Sequence, residues 1–326
     1  MVRIALRAAV LVVGVLLAVL ALMILSAGYR ERDDRAQHHP AGGMFVDAYD
    51  TWVFVQRSGD PGLPAVVFIA GTAGWSGLWQ SSMRQVNALG YQAVAVDMPP
   101  FGYSYPAPGS YEKSEQGRRL LAVMDALNLQ KVTIVAHSIG AAPVMESVFS
   151  QPQRFTALVL IDPALGLDSS QTDGSDSRLQ QLLRHDWIAQ PIAQVLTHPW
   201  LTPSLVRRVL SEKDRATAEL VAIYRRPMSN RNSSAAMAKW LPEVLAGRGH
   251  DKSDDLDAYA GLRFPVTLIW GATDTITPLS QGTHLQQLIP GSRLVVIPRA
   301  GHGPQFEEPA QFAAVLASAL KPSPQD

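Results

Sequence analysis

Three residues far apart in the chain have the types and flanking sequence that nucleophilic catalysis needs: Ser138, Asp274 and His302. A serine hydroxyl is a weak nucleophile near neutral pH. It needs a base within hydrogen-bond reach, and the base needs an acid that fixes its tautomer. Ser138 lies in the run VTIVAHSIGA, residues 132–141. The strand-like residues Val132–Ala136 lead into a tight turn at His137, Ser138 and Ile139, and a helix-compatible stretch, Gly140–Ser150, follows. Backbones crowd around such a turn, so the residues two before and two after the serine must be small. Here they are Ala136 and Gly140. The pattern is small-x-Ser-x-small, the nucleophile elbow usually written G-x-S-x-G. The helix behind it aims its first N–H groups at negative charge developing near the serine.

The base expected is His302, in the loop PRAGHGP after the last strand-like run. Glycines on both sides let that loop fold back across the elbow. His137 is adjacent to Ser138 but points elsewhere in a turn this tight, so a supporting role is expected for it. The acid expected is Asp274, in WGATDTITP after another buried run; Asp162, after the preceding one, competes for the role. The chain order is then Ser138, Asp274, His302. An oxyanion hole needs two backbone N–H donors. Ile139 supplies one as the residue after the nucleophile. Thr72 is expected to supply the second, from the loop FIAGTAG in which Gly71 and Gly74 permit close approach. That loop has neither the G-x-G-x-x-G nor the P-loop pattern of a phosphate cradle.

Positioning these residues takes strands that end beside one another. Strand-like runs recur at Thr51–Gln56, Ala65–Ala70, Gln92–Asp97, Val132–Ala136, Ala157–Ile161, Pro265–Trp270 and Arg293–Ile297. Several are continuous apolar runs, the mark of strands covered on both faces in a parallel sheet. Helical patterns fall between or after them, at Leu78–Leu89, Tyr111–Leu127, Gly140–Ser150, Leu279–Leu288 and Ala310–Leu320. The βαβα order predicts a mostly parallel, doubly wound α/β sheet with its chemistry at the carboxyl ends of the strands. Residues 168–263 break the rhythm with short helical segments only, too long a stretch for a structureless loop. They are expected to form a helical cap. Its Trp187, Trp200, Trp240, Tyr224, Met228 and Met237 either line an apolar pocket or pack the cap's own core.

With these residues in place, the segment from Thr51 to Leu320 resembles the α/β-hydrolase superfamily, in its capped serine-hydrolase branch of esterase-like and C–C-hydrolase-like members. The loop DMPPFGYS, residues 97–104, is similar to that family's D-x-P-G-x-G-x-S loop. The resemblance implies an α/β-hydrolase fold with the cap inserted between the sixth and seventh core strands. There are departures. Ala70-Gly71 stands where the family often has His-Gly, which removes a loop-fixing side chain but no backbone donor. Pro100 replaces a glycine and restricts its turn, and Ala136 replaces the first glycine of the elbow. A serine nucleophile argues against the dehalogenases and epoxide hydrolases of the family, which use a carboxylate.

Composition bounds the rest. The 326 residues carry 28 Lys and Arg against 28 Asp and Glu, so no polyanion is favoured as a partner and no nucleic-acid interface is expected. Without cysteine there is no disulfide or thiolate chemistry. The pair His38-His39 reads as part of a polar linker, 29–50, rather than a metal site. Ala8–Gly28 is uncharged and mostly apolar. As a helix of about 1.5 Å per residue it would cross a bilayer core of about 30 Å. Residues 1–28 are therefore expected to be a transmembrane anchor, or else a cleaved signal leading to secretion. Arg3 and Arg7 precede the segment and Arg30, Arg32 and Arg35 follow it, a near tie in which the short tail favours a catalytic domain outside the cytoplasm. The domains expected are then the core at 51–167 and 264–320, the cap at 168–263 and a disordered tail at 321–326. The function expected is hydrolysis of a small-molecule carboxylic ester through an acyl-enzyme, with no metal or organic cofactor. The rivals are C–C cleavage of a vinylogous diketone and a non-catalytic binding module.

Overall fold

The computed structural model describes residues 2–167, 178–244 and 251–321. One 8-stranded sheet runs in the order β1-β2-β4-β3-β5-β6-β7-β8. Its strands are β1 (Gly43–Ala48), β2 (Thr51–Ser58), β3 (Ala65–Ile69), β4 (Gln92–Val96), β5 (Val132–His137), β6 (Phe155–Ile161), β7 (Val266–Gly271) and β8 (Arg293–Ile297). β2 pairs antiparallel with β1 and β4, and every other pairing is parallel. The main helices are α1 (Val2–Leu25), α2 (Gln80–Ala88), α3 (Lys113–Ala126), α4 (Ala141–Ser150), α5 (Arg178–Leu183), α6 (Asp186–Leu196), α7 (Thr202–Val209), α8 (Ala218–Arg225), α9 (Ser233–Val244), α10 (Leu279–Leu288) and α11 (Pro309–Ala319).

β5 shows why the central strands read as unbroken apolar runs. Ile134 faces a core shared with Leu120 and Met124 of α3, Val144 of α4 and Leu285 of α10. Its neighbour Val135 faces the opposite core, with Met83 and Val86 of α2 and Phe312 and Leu316 of α11. Both faces are buried, so alternation has nothing to mark. Fully burying a valine or isoleucine is worth about 1.5–3 kcal/mol, so β5 is clamped from both sides up to the elbow.

One expectation needs correction. The segment 29–50 is not a plain linker. It holds short helices at Ala27–Arg30 and Arg35–His38 and the edge strand β1. β1 is short and only Val46 and Ala48 among its side chains are buried, which leaves too weak a pattern to read beside Gly and Pro. Within the helical segment a turn at Lys213–Arg215 precedes α8, where the Thr217 hydroxyl accepts from the Leu220 N–H and caps the helix. Among the described residues between β6 and β7 there are helices and no strand of the sheet. The first residues of the expected cap, 168–177, and the tail from 322 onwards lie outside the described residues.

Candidate active site

β5 ends at His137, and Ser138 takes the left-handed conformation, φ +54°. A non-glycine residue adopts that region only where its surroundings enforce it. The enforcement is steric. A Cβ at Gly140 would run into the Ala70 carbonyl, and one at Gly71 would stand 2.8 Å from the Ser138 Cβ. The 71–74 loop after β3 therefore presses directly against the elbow, and Thr72 lines the same cavity as Ser138. Ile139 opens the helical turn beyond the serine and packs towards Phe101 and Trp240.

His302 follows β8 and Asp274 follows β7, and the parallel pairing of the two strands brings their loops together. His302 Nε2 lies 2.7 Å from Ser138 Oγ, and His302 Nδ1 lies 2.7 Å from Asp274 Oδ2. With Asp274 ionised, Nδ1 carries the proton and donates, leaving Nε2 to accept from the serine hydroxyl. Asp274 is itself held firmly. Its Oδ1 accepts from the Ile276 N–H at 2.7 Å and the Thr277 N–H at 3.1 Å, and its Oδ2 accepts from the Thr277 hydroxyl at 2.7 Å. Burial alone would raise this carboxyl's pKa. The hydrogen bond and charge of His302, then the bonds from Thr277 and Ile276, outweigh burial and hold it below the usual carboxylate value.

Asp162, the competing acid, has another task. Its Oδ1 accepts from the Gly271 N–H at 2.8 Å, and burial followed by the charge of Asp274 pushes its pKa well up. His137, Asp162 and His302 place ligand-type atoms within 4.8 Å of one another. Both ring nitrogens of His302 are committed to Ser138 and Asp274, so this trio is no open metal site.

His137 supports the loop of the base. Its Nε2–H donates to the His302 carbonyl at 2.8 Å. Burial, then the neighbouring His302, push its pKa down to about 3. The unfolded chain takes up this proton near the ordinary pKa of about 6.5. Between those two values the unfolded state binds more protons, so stability falls as pH falls. The slope from this one group is about 1.4 kcal/mol per pH unit. His137→Gln keeps an N–H donor and is expected to flatten the acid side of a plot of urea midpoint against pH. Superimposable plots for the two proteins would contradict this.

Further groups position these residues. The His302 N–H donates to the Val209 carbonyl of α7 at 2.9 Å. Buried Glu307 accepts from the Gly301 N–H at 2.7 Å and from the Ser211 N–H at 2.6 Å. The loop of the base is thus tied to the segment above it. Trp270 Nε1–H donates to the Thr277 carbonyl at 2.8 Å, steadying the turn of the acid. In the 97–104 loop, Asp97 accepts from the Ser76 N–H at 2.6 Å and the Tyr103 N–H at 2.8 Å, and the Pro99–Pro100 bond is cis.

A cavity of about 400 Å³ stands over Ser138 and His302. Its roof is apolar: Leu196, Leu205, Val206, Leu220, Met237 and Trp240 contribute, with Tyr224 and Met228. Trp187 and Trp200 do not line it and are 76% and 73% exposed, which corrects the expectation for these two.

A serine, histidine and aspartate in one hydrogen-bonded line, at the carboxyl ends of parallel strands and beneath a helical roof, are the arrangement of the α/β-hydrolase class. The family model described as the alpha/beta hydrolase fold matches residues 64–309, and the chain belongs to that family. It is 26% identical over 266 residues to a putative carbamate hydrolase RutD from Klebsiella pneumoniae strain 342, covering 80% of this chain and 92% of that protein. It is also 26% identical over 306 residues to 2-hydroxymuconate semialdehyde hydrolase of Pseudomonas putida, covering 91% and 92%. Among solved structures, a membrane phospholipase A, described as a bacterial virulence factor, superposes with a TM-score of 0.66 at 21% identity. That likeness covers 98% of each chain.

Proposed function

We propose that this α/β hydrolase cleaves carboxylic esters through an acyl-enzyme. The observation that carries the reading is the unbroken line from Ser138 Oγ through His302 to Asp274. Ser138 attacks the ester carbonyl as His302 Nε2 takes its proton. Asp274 holds the imidazole in the competent tautomer and stabilises the imidazolium. The Ile139 and Thr72 N–H groups hold the oxyanion. His302 then gives its proton to the departing alcohol oxygen. A water activated by the same nitrogen releases the acid and restores the serine.

The apolar roof favours an ester with a long acyl part over a small or highly charged substrate. Each buried methylene is worth about 0.8 kcal/mol, roughly fourfold in binding. With p-nitrophenyl esters, kcat/KM is expected to rise steeply from acetate to octanoate. A series that falls with length would contradict this reading. Cleavage of a C–C bond in a vinylogous diketone is the second reading, favoured by the similarity to the 2-hydroxymuconate semialdehyde hydrolase of Pseudomonas putida. Such substrates carry carboxylates, whereas Arg208 is the only Lys or Arg among the described cavity-lining residues. A diketone cleaved faster than every ester in the same panel would reverse the order.

We also propose that α1 is an uncleaved membrane anchor, with the catalytic domain on the non-cytoplasmic side. The window Val13–Arg30, which runs from α1 into the short helix Ala27–Arg30, has a mean hydropathy of 2.0. Met23 and Ala27 are buried, a contact that a discarded signal would have no reason to make. The likeness to a membrane phospholipase A over 98% of each chain supports the same reading.

A further inference from the structure

The surface of the helical segment above the site is unusual on one side. Trp200 is mostly exposed, and Ile192, Leu196 and Leu205 are at least a third exposed. Single exposed apolar residues are ordinary, whereas a group of large ones on consecutive elements marks an interaction surface. Ile192 and Leu196 lie four residues apart on α6 and so share a face. Trp200 follows in the connecting loop, and Leu205 lies on α7.

Two observations say what this face meets. α1 packs against α6, and the Arg30 guanidinium donates to the Gln194 and Thr197 carbonyls at 3.2 and 3.4 Å, closing the end of α6. The apolar helix therefore leaves the domain beside the exposed residues. Arg207 and Arg208 stand exposed in the last turn of α7. Tryptophan with arginine beside an apolar helix is the composition of a membrane interface, where amphipathic rings sit at the headgroup level and guanidinium groups meet phosphates. The same face also reaches the site, since Leu196, Leu205 and Arg208 line the cavity over Ser138.

We propose that Ile192, Leu196, Trp200 and Leu205 rest on the lipid leaflet from which α1 emerges, and that an acyl chain passes from that leaflet into the cavity between Leu196 and Leu205. The proposal rests on the anchor and ester readings above and names where their substrate comes from. Entry from the leaflet avoids exposing the acyl chain to water. Arg208, at the cavity, is placed to meet the phosphate of a lipid headgroup.

The test uses the full chain reconstituted in vesicles of phosphatidylcholine and phosphatidylglycerol, with phosphatidylcholine brominated near the headgroup end of its acyl chains. Bromine quenches tryptophan only at short range. Wild type is expected to be quenched, and Trp200→Phe to lose most of that quenching. Equal quenching of both proteins overturns the proposal. So does an unquenched wild type that resists alkaline carbonate extraction, because the anchor then stands while the docking face fails. An unquenched wild type with concentration-dependent cross-linking through this face would assign it to a second copy instead. In the kinetic arm, Trp200→Ser is expected to slow hydrolysis of a vesicle-embedded long-chain ester about tenfold, leaving soluble p-nitrophenyl acetate unchanged. Equal effects on the two substrates contradict leaflet delivery. No turnover of either ester by wild type would fail the ester reading and leave the quenching result to decide this one.

Discussion

Ser138→Ala is expected to lower kcat on p-nitrophenyl butyrate by about 10³–10⁶-fold, with the fold intact and KM little changed. The wide range reflects how much stabilisation the backbone donors and the roof retain without a nucleophile. The fold is expected to survive because the substitution removes one oxygen and leaves the backbone constraint in place. Ser138 sits at φ +54° between the 71–74 loop and α4, and alanine meets the same walls. What disappears is the acceptor–donor line to His302 Nε2, 2.7 Å away. Stopped assays at high enzyme concentration, alongside thermal unfolding, check this. A variant that keeps near-wild-type turnover would remove Ser138 from the chemistry.

Asp274→Asn is the second large effect, about 10⁴-fold in kcat by analogy with the same change in a serine protease. The surroundings dictate which way the asparagine faces. The Ile276 and Thr277 N–H groups both donate to Oδ1, so the amide oxygen must occupy that position. The amide NH₂ then takes the place of Oδ2 and faces His302 Nδ1. A donor there forces Nδ1 to accept, and the ring proton moves to Nε2. Nε2 then points an N–H at Ser138 and cannot take its proton. The orientation argument also predicts that KM changes far less than kcat. A drop of less than about tenfold would mean that the tautomer is set by something other than Asp274.

The parts of this site legible in the sequence are those that local sterics or strand position record. The elbow showed itself because Ala136 and Gly140 must be small where backbones meet. Asp274 and His302 showed themselves because each follows an apolar run, fully buried in β7 and at the sheet edge in β8, and the two strands end side by side. Thr277 was within reach of the same reasoning: a threonine three residues after an aspartate is a common turn partner. What could not be read is cooperation across long separations. Val209 and Glu307 hold the His302 loop through bonds between the core and the helical segment, and nothing near either residue hints at it. β1 hid for a different reason, being an edge strand with half its side chains in solvent. Trp187 and Trp200 misled because tryptophan in a helical pattern usually points inward, and here the two face out.

The nucleophile can be tested without knowing the substrate. A fluorophosphonate reacts with a serine only when a base has activated it and an oxyanion site receives the phosphoryl oxygen. The folded chain, labelled, digested and examined by mass spectrometry, is predicted to carry one adduct, on Ser138. That adduct should be lost on prior heat unfolding and in Asp274→Asn. A folded protein left unlabelled, or labelled at another serine, would contradict the account.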